Sequence, residues 1–421
     1  MDYERIKAED PDAYAAIKGE AEREADGLEL IPSENYVSRA VREAQGSVFT
    51  NKYSEGYPGR RYYGGQEFTD AIETLAIERA KALFGAAFAN VQPHSGSNAN
   101  LAAYLALLAP GDTVLGMDLS HGGHLTHGAP VTAAASFYRF VRYRMQDPDT
   151  GAIDYDALRQ LALAERPKIL LAGFSAYPRA LDYERLATIA HEAGALAVMD
   201  AAHIAGLIAG HALPNPLDAG FDVMTATTHK TLRGPRGGLI LTRDDAQIAK
   251  RIDKALFPGL QGGPLMHAIA GKAVAFREAA EPSFRAYAAQ VLANAKAMER
   301  VFRARGVRLI GGGTDNHLLL ADVMGSLGVS GKEAEALLDA AGLTVNKNVI
   351  ADDPRPPLDP SGIRFGTPAI STRGFDEEGS ARVAELMLDA LAAKDDPAAQ
   401  AAVRDEVRAL ANAHPIPDSF F

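Results

Sequence analysis

Leu196-Ala197-Val198-Met199-Asp200-Ala201-Ala202-His203 reads as a short apolar strand that ends in a carboxylate. A second run, residues 221–226, leads into Thr227-Thr228-His229-Lys230-Thr231-Leu232-Arg233-Gly234-Pro235-Arg236-Gly237-Gly238, a polar turn that carries a lysine. Further strand-length apolar runs lie at 113–117, 168–174 and 238–242, separated by segments with helical spacing such as 183–193. This alternation predicts an α/β domain with a mainly parallel central sheet. Ligands of such sheets sit beyond the carboxyl ends of the strands, where Asp200 and Lys230 project.

From about residue 281 the pattern changes to a long helical stretch reaching 305, a short strand at 317–323, a helix at 332–341 and helical segments from 376 onward. The expected organisation is a helical arm at 1–27, a large α/β domain at 28–280 and a smaller α+β domain at 281–421. With 47% hydrophobic and 23% charged residues, the composition is that of a folded soluble protein. A net charge of -11 disfavours nucleic acid as the main partner. The chain has no cysteine, which excludes disulfides, thiolate nucleophiles and cysteine zinc sites. The charged start has no apolar signal core, so a cytoplasmic location is expected. Residues 195–213 are apolar enough to be weighed as a membrane span, but Asp200, His203 and His211 suit a buried strand better, and no membrane association is expected.

Lys230 and Asp200 together suggest a pyridoxal phosphate site. An amine holds the aldehyde as a Schiff base, and a carboxylate keeps the pyridine nitrogen protonated so that the ring can accept electrons. His94-Ser95-Gly96-Ser97-Asn98-Ala99-Asn100 gathers small residues at the start of a helix, as an ordinary cap or as a cradle for a phosphate. Gly259-Leu260-Gln261-Gly262-Gly263-Pro264 is a plain turn or a second set of phosphate-facing amides. Ser120-His121-Gly122-Gly123-His124-Leu125-Thr126-His127 is dense in histidine. A ring stacked on a cofactor suits it better than a metal, and His121 and His127 read as capping or core residues. Arg364, in an apolar segment, calls for an anionic partner, either a structural carboxylate or that of an amino acid substrate. The loop 51–65 combines Tyr53, Glu55, Tyr57, Tyr62 and Tyr63 with several glycines, a set able to move protons or simply an exposed aromatic loop.

In their order, these stretches, with Ser33-Glu34-Asn35-Tyr36, Thr344–Asn348 and Ile363–Pro368, resemble the serine hydroxymethyltransferases, fold type I pyridoxal phosphate enzymes, from about residue 28 to at least 375. The resemblance implies that Lys230 binds the cofactor covalently, Asp200 pairs with the ring nitrogen, and His124 stacks on the ring. Ser175 and His203 would then lie near the phenolic oxygen, and Gly96 and Ser97 would hold the phosphate. It also implies a homodimer in which Tyr53, Glu55, Tyr63, Gly262 and Gly263 reach the partner subunit's site. Arg364 and Ser33 would hold the carboxylate of L-serine or glycine, while Thr227 and His229 tune the site beside Lys230. Glu55 would manage protons at the hydroxymethyl group. Asn348, Leu119 and Leu125 match the region that takes the pteridine of tetrahydrofolate, the one-carbon acceptor. Ala201, Ala226 and Leu30-Ile31-Pro32 depart from the usual pattern. They leave open a shifted substrate such as α-methylserine. A folate-independent aldolase acting on β-hydroxy amino acids is a separate alternative within the same cofactor chemistry.

Overall fold

The computed structural model describes residues 3–417 and 420. The chain forms two compact units: residues 40–289, and a second that combines the chain up to Arg39 with the chain from Gln290 onward.

The first unit is built on a seven-stranded sheet. Its strands are β1 (Phe88–Asn90), β2 (Thr113–Met117), β3 (Arg139–Tyr143), β4 (Ile169–Gly173), β5 (Leu196–Asp200), β6 (Val223–Thr227) and β7 (Gly238–Thr242), arranged in the order β1-β7-β6-β5-β4-β2-β3. The run β3-β2-β4-β5-β6 is parallel. Strands β4, β6 and β7 are buried along their whole length, as are four of the five residues of β5, which explains why these runs are continuously apolar. Helices return the chain between them. Tyr183–Glu192, for instance, starts at Asp182, whose carboxylate accepts from Arg185 N at 3.0 Å.

Strand β7 departs from the parallel expectation, pairing antiparallel with both β6 and β1. The connection at 228–237 is too short for a crossover and closes on itself, with Gly234 N donating to Thr228 O and Thr228 N to Gly237 O. Lys230 thus sits in the turn of a hairpin. Strands β1 and β3 escaped the sequence reading; β3 (Arg-Phe-Val-Arg-Tyr) is an edge strand whose two arginines mask its alternation.

In the second unit, Leu318–Asp322, Gly362–Gly366 and Asn346–Asn348 form an antiparallel sheet with Gly362–Gly366 at its centre. Leu28–Glu29 pairs in parallel with Leu343–Thr344. The core joins Leu28, Leu319, Leu338, Phe365 and Met387, and the rings of Phe302 and Phe365 stack at 4.6 Å. Buried Arg373 donates to the carbonyls of Glu24, Ala25, Gly27, Ala411 and His414, so one guanidinium ties the ends of helices Pro11–Asp26 and Pro397–Ala413 together. Among the described residues no helix is long and apolar enough to cross a membrane.

Candidate active site

In the first unit the site residues collect where the parallel strands end. Asp200 closes β5 and is 6% exposed. Its Oδ2 accepts from Asn100 Nδ2 at 2.8 Å and from His127 Nε2 at 3.0 Å, and its Oδ1 accepts from Ala202 N at 3.0 Å. The backbone sets the tautomers. His127 Nδ1 accepts the His124 N–H at 3.2 Å, so a neutral His127 carries its proton on Nε2 and donates it to Asp200. His124 Nδ1 accepts the Thr126 N–H at 3.2 Å. Asn100 extends the network, donating to Thr126 Oγ1 at 2.8 Å and accepting from Thr225 Oγ1 at 2.6 Å. Burial by itself would raise the Asp200 carboxyl. The hydrogen bond from His127, the electrostatic pull of the His127 and His124 rings and the Asn100 amide outweigh it and hold the group well below the usual carboxylate range. His124, His127 and Asp200 place donor atoms within 4.8 Å of one another, a composition that could also suit a metal. Here those atoms are spent on hydrogen bonds that keep a buried carboxylate ionised.

The Lys230 turn is anchored on both sides of the lysine. Thr231 Oγ1 donates to His203 O at 2.9 Å and accepts from Gly206 N at 3.0 Å, while Tyr287 Oη donates to Thr231 O at 3.2 Å. Arg233 N donates to Lys230 O at 3.1 Å, and the Arg233 guanidinium lies 4.0 Å from the centre of the Tyr287 ring. His229 Nδ1 accepts from Gly237 N at 3.3 Å. Burial, then the charges of Arg236 and Lys230, push the His229 imidazole down to about 3, so it is neutral near pH 7. Thr227, at the end of β6, donates to Ala202 O at 3.1 Å. Ser175 follows β4 and donates its backbone N–H to Gly122 O at 2.7 Å.

The helix Gly96–Leu107 begins within the small-residue stretch, where Ser95 caps it by accepting from Asn98 N at 3.2 Å. A side chain at Gly96 would meet Thr227 Cγ2 at 2.5 Å, so a glycine lets the helix start pack against the end of β6. Ser97 is exposed at that start. Just before it, His94 Nε2 is buried without a hydrogen-bond partner among the described residues. Gln261 Oε1 accepts from His94 N at 3.0 Å and Asn98 Nδ2 at 3.2 Å, which fixes the neighbouring Gly262 and Gly263. These glycines lie against Tyr53 and Glu55, and the rings of Tyr53 and Tyr63 meet edge-on at 5.3 Å.

Composition made residues 51–65 a loop, but Arg61 makes it a fixed one. Its guanidinium is buried between Asp70 at 2.8 Å and Glu73 at 2.6 Å and also donates to Ser54 O and Gly56 O. Leu119 is half-buried just past β2, and Leu125 is exposed.

Ser33, Arg364 and Asn348 belong to the second unit. Arg364 lies in the central strand of its sheet, opposite Leu320 and Asn346, and its Nε donates to Asn346 Oδ1 at 3.1 Å. Burial pushes the guanidinium down to about 10, which leaves it cationic. Ser33 sits in a half-buried turn just after Leu30, whose carbonyl accepts from Gly366 N at 2.7 Å. Asn348 donates to Val349 O at 2.6 Å.

Sequence reasoning missed Asn100, Thr126, Thr225 and Arg61, and left His127 as a capping or core residue. The available signal was their polarity at positions where a buried strand or helix face should be apolar.

The serine hydroxymethyltransferase family model matches residues 6–387. The chain is 54% identical over 414 residues to serine hydroxymethyltransferase 1 of Pseudomonas aeruginosa, which spans 98% of this chain and 99% of that protein. It is also 54% identical over 411 residues to the serine hydroxymethyltransferase of Alkalilimnicola ehrlichii, spanning 98% and 97% of the two chains. With its mixed seven-stranded sheet and the polar cluster at the strand ends, the chain belongs to the serine hydroxymethyltransferase family, pyridoxal phosphate-dependent enzymes of fold type I.

Proposed function

We propose that the one-carbon unit of L-serine passes to tetrahydrofolate at this site, giving glycine and 5,10-methylenetetrahydrofolate. The observation that carries this reading is Asp200, buried yet held ionised chiefly by His127, with His124 and Asn100 adding to it. A carboxylate so placed suits a protonated pyridine nitrogen. The rest of the donor set fits the same cofactor: an amine at Lys230, a flat ring at His124, the polar side chains of Ser175 and His203 for the phenolic oxygen, and a capped helix start at Gly96 and Ser97 for the phosphate. Pyridoxal phosphate bound there supplies a ring that accepts the electron pair released at the substrate α-carbon.

The chain's own residues do the rest. Arg364 and Ser33 bind the substrate carboxylate, and the planar fork of Arg364 fixes which α-carbon bond is aligned to break. His229 is neutral near pH 7 and, with Thr227, shapes the polar wall around Lys230 without adding charge. Glu55 takes and returns the proton of the hydroxymethyl group. Leu119, Leu125 and Asn348 receive the pteridine.

Tyr53, Glu55, Tyr63, Gly262 and Gly263 act on the partner subunit's site in a homodimer. Exposure of Val48, Tyr53, Tyr62, Tyr63, Phe68 and Leu265 supports this assembly, since a lone chain would leave those apolar side chains in water. The acidic net charge disfavours a nucleic-acid partner, and the enzyme is proposed to act in the cytoplasm, away from membranes.

The test is formation of 5,10-methylenetetrahydrofolate from L-serine and, in parallel, α-methyl-L-serine, with and without tetrahydrofolate. Folate-dependent turnover of serine is expected. Turnover of the α-methyl compound alone, or cleavage of β-hydroxy amino acids without folate, would overturn the substrate assignment.

A further inference from the structure

Helix Met266–Ala279 buries a lysine in its middle. Lys272 is 1% exposed, and among the described residues no carboxylate forms an ion pair with it. Its ammonium donates instead to three backbone carbonyls, Val91 O at 2.6 Å, Gly238 O at 2.8 Å and Pro93 O at 3.1 Å. Two of these lie on the segment that runs into His94, Ser95 and Gly96, and the third opens β7 just past the Lys230 turn. Gly237 makes room for it, since a Cβ there would fall 2.4 Å from Lys272 Cε.

A buried cation solvated only by carbonyl dipoles is costly and calls for an anion nearby. Burial pushes this ammonium down to about 7, with the charge of Glu73 acting the other way. The field of Lys272 also reaches both halves of the site, lowering His94 and His229.

We infer that Lys272 is a positioning residue of the cofactor cradle: it ties the segment leading into Gly96 and Ser97 to the end of the Lys230 turn and, when protonated, supplies a positive charge that a bound phosphate dianion favours. This rests on the assignment of Gly96 and Ser97 to the phosphate. Lys272 itself touches neither substrate nor cofactor.

A purely structural lysine and a charge-supplying one differ in what they do to two aldehydes, pyridoxal phosphate and phosphate-free pyridoxal. Binding of each to the apoprotein is titrated by absorbance for wild type, Lys272→Met and Lys272→Gln, with melting temperature reporting the fold. Gln keeps two N–H donors for the carbonyls without the charge, so it remains testable where Met fails to fold. Both variants should lose about tenfold of the preference for the phosphorylated aldehyde, the equivalent of one pKa unit, while binding pyridoxal as wild type does. If the wild-type preference persists in the folded variants, or if both aldehydes weaken equally, Lys272 is structural only and the inference falls. A wild-type protein that bound both aldehydes alike would overturn the cradle assignment, and this inference with it.

Discussion

Replacing Asn100 by alanine should separate the stability of the Asp200 network from its electrostatics. The substitution removes three hydrogen bonds, to Thr126 Oγ1 and Asp200 Oδ2 at 2.8 Å each and from Thr225 Oγ1 at 2.6 Å. All four residues are buried, so water does not readily replace the lost amide. The two neutral bonds contribute about 1 kcal/mol each and the one to the carboxylate about 1.5–3 kcal/mol, for a loss of about 4 kcal/mol. For a unit of this size, each kcal/mol lowers the melting temperature by roughly 2–4 °C, so the large unit should melt roughly 8–16 °C lower. Asp200 should stay ionised, because His127 and His124 still counter its burial and Asn100 is the smallest of those effects. Pyridoxal phosphate affinity should therefore change by less than about tenfold, the equivalent of one pKa unit. Calorimetry of the apoprotein with a parallel cofactor titration measures both. A melting shift below about 2 °C would show that the network is not dry, and a collapse of affinity with the fold intact would show that Asn100, not His127, sets the charge on Asp200.

Arg364→Ala should raise the serine KM on the order of a hundredfold through loss of the bidentate partner, with the cofactor retained; unchanged serine kinetics would refute the role. His229 is neutral in the folded protein down to about 3, against an ordinary 6.5, so the unfolded chain binds the extra proton between those values. Its contribution to stability is complete above pH 6.5 and is lost as pH falls through that window, at up to about 1.4 kcal/mol per pH unit. Melting curves of His229→Gln should be flatter there, and equal slopes would sink the assignment. Glu29 shows the opposite sign. Burial, and then the charge of Glu34, raise its carboxyl to about 8, so the folded protein holds a proton that the unfolded chain releases above 4.5. Its contribution is complete below pH 4.5 and is lost as pH rises through about 8, so Glu29→Gln, which can keep an acceptor for Ile31 N, should melt higher than wild type at pH 8 and not at pH 4. A variant that melts lower at pH 8 would contradict this.

Sequence by itself determined the strands that are apolar throughout, because full burial leaves no alternation to misread: β5 and β7 fall where the pattern puts them. It also supplied the chemically active groups, since only an amine, a carboxylate or a guanidinium can do what Lys230, Asp200 and Arg364 are proposed to do. Edge strand β3 and the reversal of β7 were not legible, because arginines hide the first and the closure of a hairpin decides the second. Only tertiary structure decided what surrounds each charge. The groups that hold Asp200 ionised lie 73 and 100 positions away along the chain. Lys272 reads in sequence as one more helical lysine, and it is the convergence of three carbonyls from two distant segments that makes it a buried cation. Residue type sets which groups can carry charge, but burial and neighbouring dipoles set what that charge costs and where it can act, and both exist only once the chain has folded.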